Sequence, residues 1–260
     1  MNISINSPSW KKCNRVDLVK WCPDAVFWVC ESQADLYKEN NPGIKLKVVK
    51  KGIQGKGKPK IINHILDVRF KEKVDAVCLM DDDIKSIGYY ENKERFKMDF
   101  EYFKGWLVEC SRVAQEWGVK MWGINLNTDY QSYREYSPFS MLSPILAPFW
   151  VIFPNPLRQD ERFPLKHDYD YFLQMVRKYR KVLRFNKYHY DCRMTASGSG
   201  TEGGSSDFRS VAMEMRELER LKRKWGSKIV KYDFNDRCHQ RKKRKTFDIN
   251  PVVRVPIKGI

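Results

Sequence analysis

Short apolar runs alternate with amphipathic stretches along the first hundred residues. Asn2 to Asn6 reads as a strand, and Ser9 to Trp21 carries a helical pattern that stops before Pro23. Ala25 to Cys30 is a continuous apolar run, as expected of a strand buried on both faces. Ser32 to Asn40 reads as a helix closed by Asn41, Pro42 and Gly43, and Ile44 to Val49 as a third strand. A Gly/Lys loop, Lys50 to Lys58, precedes an amphipathic stretch from Lys60 to Lys73, where Ile61, Ile65, Leu66 and Phe70 recur at helical spacing. Val74 to Met80 is a fourth apolar run. Strand and helix alternating over short connections predict a parallel sheet covered by helices.

The second half is less regular. Phe100 to Gly118 predicts a helix ended by glycine, Lys120 to Leu126 a strand, and Asn127 to Ser143 a polar, aromatic loop. Phe149 to Phe153 predicts a strand between prolines, Asp168 to Lys181 a helix, and Val182 to Tyr190 a strand. Ala196 to Ser206 is a glycine/serine loop with glycines at 198, 200, 203 and 204, suited to a lid. Asp207 is expected to cap a helix running to Trp225 and ended by Gly226, with an irregular basic tail beyond. The simplest division is a core over residues 1–206 and a basic helix and tail over 207–260, packed on that core.

Composition adds a charge argument. Lys and Arg number 49 against 32 Asp and Glu, a formal charge of +17, while 42% hydrophobic residues are enough to bury a core and exclude global disorder. Over half of that excess lies in residues 209 to 245, which hold 14 Lys/Arg and 5 Asp/Glu. A polyanionic partner is expected, nucleic acid before an anionic membrane surface. The most apolar stretch, Met141 to Pro154, is broken by Pro144 and Pro148 and is shorter than the roughly 20 residues of a spanning helix. No signal peptide is evident at the N-terminus, and the seven cysteines include no C-x-x-C pair. Reduced thiols in a cytoplasmic protein are expected.

The sharpest chemical signal is Asp81-Asp82-Asp83, directly after the apolar run Val74 to Met80. Ligands of open parallel sheets collect beyond the carboxyl ends of strands. Three adjacent acids repel one another unless a cation neutralises them. In extended geometry Asp81 and Asp83 project to one side, and their hard oxygens suit magnesium or manganese bridging to a diphosphate.

A strand followed by D-x-D in a Rossmann-like half resembles the GT-A glycosyltransferases. The details are most similar to the TET-associated glycosyltransferases, chiefly of phages. The shared pattern comprises Ser7-Pro8-Ser9 and Arg15 after the first strand, Val29-Cys30-Glu31 with Tyr37 downstream, Ile62-Asn63-His64-Ile65-Leu66, and the acidic triplet. His167-Asp168-Tyr169-Asp170 stands where the family has an acidic pair opening a helix. The resemblance spans roughly residues 1 to 205 and is specific around the triplet. One departure is His167-Asp168 where families of this fold often carry Glu-Asp.

The resemblance implies a GT-A-like, mostly parallel α/β sheet with flanking helices. It also implies a nucleotide-sugar donor, a UDP-sugar such as UDP-glucose, and an acceptor hydroxymethylpyrimidine in DNA. Ser7, Arg15, Glu31 and Asn63 would lie by the donor's base and ribose, with Asp81 and Asp82 also on the donor. Arg15 has its own rationale, since a guanidinium near strand ends pairs with diphosphate. Asp81 and Asp83 would hold a divalent metal, with His189 as a late third ligand, and Asp168 or Asp170 would take the acceptor's proton. An extruded base needs stacking partners. Tyr130, Tyr133 and Tyr136 are the candidates, while Trp122 and Trp150 read first as core. Arg216, Arg220 and Arg223, with the run Arg241, Lys242, Lys243, Arg244 and Lys245, would track phosphates. A glycosyltransferase or nucleotidyltransferase with another acceptor, and a non-catalytic DNA-binding protein, remain as alternatives.

Overall fold

The computed structural model describes residues 1–54, 57–125, 133–192, 203–207, 209–232 and 249–255. The apolar runs become strands: β1 (Ile3–Pro8), β2 (Val26–Cys30), then helix α1 (Ala34–Asn40) and β3 (Lys45–Val49). A one-turn helix α2 (Lys51–Gln54) and α3 (Pro59–Lys71) lead into β4 (Ala76–Met80). Pro59 opens α3, where its missing N–H costs no helix bond. A hairpin follows, β5 (Ile84–Glu91) and β6 (Glu94–Lys97), then α4 (Phe100–Glu116), capped by the Asp99 carboxylate accepting from Tyr102 N at 2.8 Å. The chain continues through β7 (Met121–Asn125), β8 (Phe139–Ser140), β9 (Phe149–Ile152), α5 (His167–Tyr179) and β10 (Leu183–Cys192). It closes with α6 (Val211–Trp225) and two short strands, β11 (Val230–Tyr232) and β12 (Pro251–Val253).

The central sheet runs β3-β2-β1-β4-β9-β7-β10-β5-β6, with β8 paired to β10. Strands β3, β2, β1 and β4 are parallel, and β7 and β10 are parallel to each other. Strand β9 runs antiparallel between β4 and β7. The expected α/β sheet with flanking helices is present, and it is mixed rather than all parallel. The hairpin β5–β6 was not anticipated: its sequence alternates charged and aromatic residues without a long apolar run.

Both faces are covered, which is why the central strands are apolar throughout. Along β4, Ala76, Cys78 and Met80 pack with Tyr37, Phe103 and Leu107 on the α1/α4 side. Val77 and Leu79 pack with Ile65, Phe172 and Leu218 on the α3/α5/α6 side. Trp122 and Trp150 are fully buried core residues. Leu218 and Leu221 place α6 in the same apolar cluster as α3 and α5.

Three local expectations are corrected. Ser9–Trp21 is not a helix but an irregular loop with one helical turn at Leu18–Lys20. Lys11 adopts φ 53, and Ser9 and Lys12 both reach back to Asp82, commitments a regular helix would break. Helix α6 is capped by Ser210, whose Oγ accepts from Met213 N at 3.2 Å, not by Asp207. Asp207 instead accepts from Gly203 N at 2.6 Å. The tail is not wholly irregular, because β11 and β12 pair antiparallel. The six described cysteines are all free thiols, and among the described residues no helix is long and apolar enough to cross a membrane.

Candidate active site

Strand β4 is buried along its whole length and delivers the acidic triplet at the sheet's carboxyl edge. Asp81 N donates to Pro148 O at 3.0 Å, and Ile84 N to Asp81 O at 3.3 Å. The chain therefore turns at the triplet instead of continuing extended, and the three carboxylates meet different partners. Asp81 pairs with Lys58. Asp82, 3% exposed, accepts from Ser9 Oγ and from Lys12 Nζ at 3.0 Å. Asp83 lies 3.4 Å from the same Lys12 ammonium. Tyr37 OH meets Ser9 Oγ at 2.7 Å and accepts from Lys12 N at 3.1 Å, which anchors the irregular loop to α1.

Three carboxylates thus face two ammonium groups. Burial would lower the Lys58 ammonium, but the Asp81 charge raises it overall. Burial, with the Asp81 charge next, pushes the Asp83 carboxyl up to about 6. Asp83 remains under-neutralised, and a divalent cation shared with Asp81 would supply the missing charge. Among the described residues no group of three or more His, Cys, Asp or Glu could hold a metal. This donor set fits a hard cation that takes one or two carboxylates and fills its other positions with water and phosphate oxygens.

A stability prediction follows from the direction of the Asp83 shift. Asp83 holds its proton more tightly folded than unfolded, where its value is near 3.8. Its ionisation therefore weakens the fold as pH rises from about 4 to about 6, and the penalty is complete above that window. Asp83→Asn is expected to raise the thermal midpoint at pH 7.5 in chelator, with the gain shrinking by pH 4.5. An equal gain at both pH values would contradict it.

His189 does not join the triplet. The register of β10 sets it opposite Gly88 of β5, with its ring 4.6 Å from Tyr90. Burial, then Arg95, pulls its pKa down to about 4, and it has no hydrogen-bond partner among the described residues. His167 was passed over as a ligand, yet its surrounding charges are Lys58 and Asp81. It stacks on Trp150 at 5.9 Å, and burial followed by Lys58 holds it neutral, down to about 3.

The two carboxylates of α5 separate cleanly. Asp170 is fully buried and committed to Lys224 at 2.8 Å, Trp225 Nε1 at 2.8 Å and Gln174 Nε2 at 2.8 Å. It fastens α5 to α6 and is not available as a base. Asp168 is half-buried, and burial raises its carboxyl to about 6 against the Tyr169 N–H that accompanies it. The charges of Asp81, Asp168 and Asp83 all bear on the buried Tyr190 hydroxyl, so Asp168 faces the triplet side.

Beside the triplet lies a cavity of about 280 Å³, lined by Trp10, Lys12, Gln54, Lys58, Ile61 and Asp82 among others. Of the six residues expected at the donor, only Asp82 lines it. Asn63 exchanges hydrogen bonds with the Gln159 backbone, at 2.9 and 2.8 Å. Ser7 is fully buried within β1, Glu31 is exposed and accepts from Lys51 N at 3.2 Å, and half-buried Arg15 lies outside the lining. Lys58 could have been found in the Gly/Lys loop, and Lys12 in the basic step after β1. Gly57 makes the loop possible: its φ is +74, and a Cβ there would lie 2.7 Å from Pro164. Gly204, Ser205 and Asp207, at the end of the glycine/serine loop, form one wall, while residues 193–202 lie outside the described residues.

Among the candidates for nucleic acid, Tyr133 stacks on Tyr90 at 5.7 Å and Tyr136 is 86% exposed. Arg216 and Arg223 are exposed on α6. Arg220 is tied to Arg162 O and lies over Phe163 at 5.9 Å. Tyr130 and residues 241–245 lie outside the described residues.

No protein-family model matches the chain, and no curated protein matches it. Solved structures do. One is glucosyl-3-phosphoglycerate synthase from Mycobacterium tuberculosis with Mn2+, UDP and glucosyl-3-phosphoglycerate, at TM-score 0.51 and 11% identity over 90% of this chain and 85% of that one. The same enzyme with Mn2+, UDP-glucose and phosphoglyceric acid gives 0.50 and 11% over 90% and 84%. At this identity the likeness shows the fold. The chain has the GT-A-like α/β fold of nucleotide-sugar transferases.

Proposed function

We propose that the chain is a divalent-metal-dependent glycosyltransferase using a nucleotide-sugar donor, with a UDP-sugar as the leading candidate. The observation that carries this reading is the under-neutralised triplet at the end of β4, beside a cavity bordered by two lysines. The solved structures of the same fold add support, since their titles name Mn2+ with UDP or UDP-glucose.

Asp81 and Asp83 would hold the metal, which when bound stabilises the charge developing on the departing diphosphate. Lys12 and Lys58 add positive charge for the donor's phosphates. Asp82 holds the loop that carries Lys12. Asp168 accepts the proton of the attacking hydroxyl if transfer inverts the anomeric carbon. Its raised carboxyl gives a pH signature: a base acts only when deprotonated, so turnover is expected to fall as pH drops through about 6. A rate unchanged between pH 5 and 8 would remove Asp168 from this role.

The acceptor in this reading is the hydroxymethyl group of a modified pyrimidine in DNA. The family resemblance, the exposed Tyr136, and the exposed Arg216 and Arg223 on α6 support it. The division into a core over 1–206 and a nucleic-acid-facing segment over 207–260 belongs to the same proposal. The test is mass spectrometry of hydroxymethylated and unmodified DNA incubated with a panel of nucleotide sugars and manganese. A sugar-sized mass gain confined to hydroxymethylated DNA is expected. Donor hydrolysis without DNA transfer would keep the donor chemistry and overturn the acceptor.

A further inference from the structure

The cavity beside the triplet contains a polar atom that the chain itself leaves unpartnered. Gln54 ends α2 and is 8% exposed, and its Oε1 has no hydrogen-bond partner among the described residues. A buried carbonyl in this state has lost its water without replacement, and native interiors hold few of them. Gln54 is also one of the residues lining the cavity. Two other unpartnered buried groups, the Ser7 hydroxyl and the His189 ring, are not part of that lining.

The remaining lining suits a ligand with one flat apolar part and one anionic part. Pro8, Trp10 and Ile61 supply apolar surface, and Lys12 and Lys58 supply cations. A nucleoside diphosphate has this composition. From this geometry we infer that Gln54 reads the nucleobase of the donor, its Oε1 accepting a ring N–H. The inference rests on the donor reading above and deepens it by assigning the base contact. It places that contact on Gln54, not on Asn63, whose amide is occupied by the Gln159 backbone.

A glutamine amide complements an edge carrying a ring N–H beside a carbonyl: Oε1 accepts from the N–H, and Nε2 donates to the carbonyl. Uracil and guanine present that edge. Cytosine and adenine place unprotonated ring nitrogens there, which would leave Oε1 without its ring N–H. A site built around such a bond rejects ligands lacking it because its own buried group stays unpaired.

The test is calorimetric titration of the full chain, with manganese, using UDP, GDP, CDP, ADP and pyrophosphate as probes. The wild type is expected to bind UDP or GDP at least about tenfold more tightly than CDP and ADP. Gln54→Leu removes the acceptor at similar size. It is expected to weaken the preferred nucleotide about tenfold or more, equivalent to about 1.4 kcal/mol, and to leave pyrophosphate binding unchanged. Its thermal midpoint without nucleotide is expected to stay level or rise, since an orphaned carbonyl is gone. Gln54→Glu, which keeps a buried acceptor oxygen, should retain more binding than Gln54→Leu.

Unchanged nucleotide binding by Gln54→Leu would overturn the inference alone. Equal loss of nucleotide and pyrophosphate would do the same, because the effect would then not be on the base. Equal wild-type affinity for all four nucleotides would overturn the ring N–H assignment. Failure of the wild type to bind any nucleoside diphosphate would remove the donor reading, and this inference with it.

Discussion

Asp81→Asn is expected to lower manganese-dependent donor turnover by about 10²–10³-fold, since stabilisation of leaving-group charge is worth several kcal/mol and about 1.4 kcal/mol is a factor of ten. The neighbouring residues should respond differently. Asp82 is 3% exposed and spends its oxygens on Ser9 and Lys12. Asp82→Asn is therefore expected to loosen the loop after β1, at a cost of about 1.5–3 kcal/mol for a hydrogen bond to a charged group. Asp83→Asn should stabilise the metal-free fold at neutral pH while weakening manganese binding. Donor hydrolysis assays and thermal melts on the three single variants separate these outcomes. Full activity in Asp81→Asn would show that the chemistry does not occur at the end of β4.

The second large effect is predicted away from the triplet. Lys166, 2% exposed, lies 2.5 Å from Glu214, which is fully buried and also bound by Arg209 at 2.6 Å. Glu214→Ala leaves the Lys166 ammonium buried without its carboxylate, a change that typically costs about 3–5 kcal/mol. The double variant Lys166→Met/Glu214→Leu removes both charges together and should recover most of that loss. Urea denaturation measures both. A loss of less than about 1 kcal/mol in Glu214→Ala would mean that the pair is solvated or replaceable.

This pair also bears on the site. Glu217, 1% exposed, accepts from Leu165 N and Lys166 N at 2.8 Å each, directly before the turn that presents His167 and Asp168. With Asp170 bound to Lys224 and Trp225, α6 braces the start of α5 on its inner face. The basic residues that made 209–245 read as a binding surface are thus only half of its content. The acids of α6 are the residues that tie it to the fold.

The legible parts of the sequence were those governed by local pattern. Residues 76–80 had to be a strand buried on both faces, because every one of them is apolar and they lead straight into three acids. Phe100–Glu116 was legible from its periodicity and its closing glycine. The segment from Ser9 to Trp21 was misread because its helical spacing is real, while its conformation is set by Asp82, some seventy residues later. The hairpin β5–β6 was missed because exposed strands carry little apolar signal.

Along the site the same division holds. By itself the sequence determined that a cluster of negative charge ends a buried strand in an α/β chain, since strand burial and adjacency of acids are both local properties. It also located the excess of positive charge. Only the tertiary structure decided which groups answer those charges. Lys12 and Lys58 meet the triplet across 71 and 23 residues of chain. Asp168 is turned toward it and Asp170 away, although one residue separates them. His189 is held on the hairpin by strand register, and Gln54 is left with an open carbonyl in the cavity wall. The physical reason is that a carboxylate's role depends on the burial and partners around it, and folding brings those partners from distant parts of the chain.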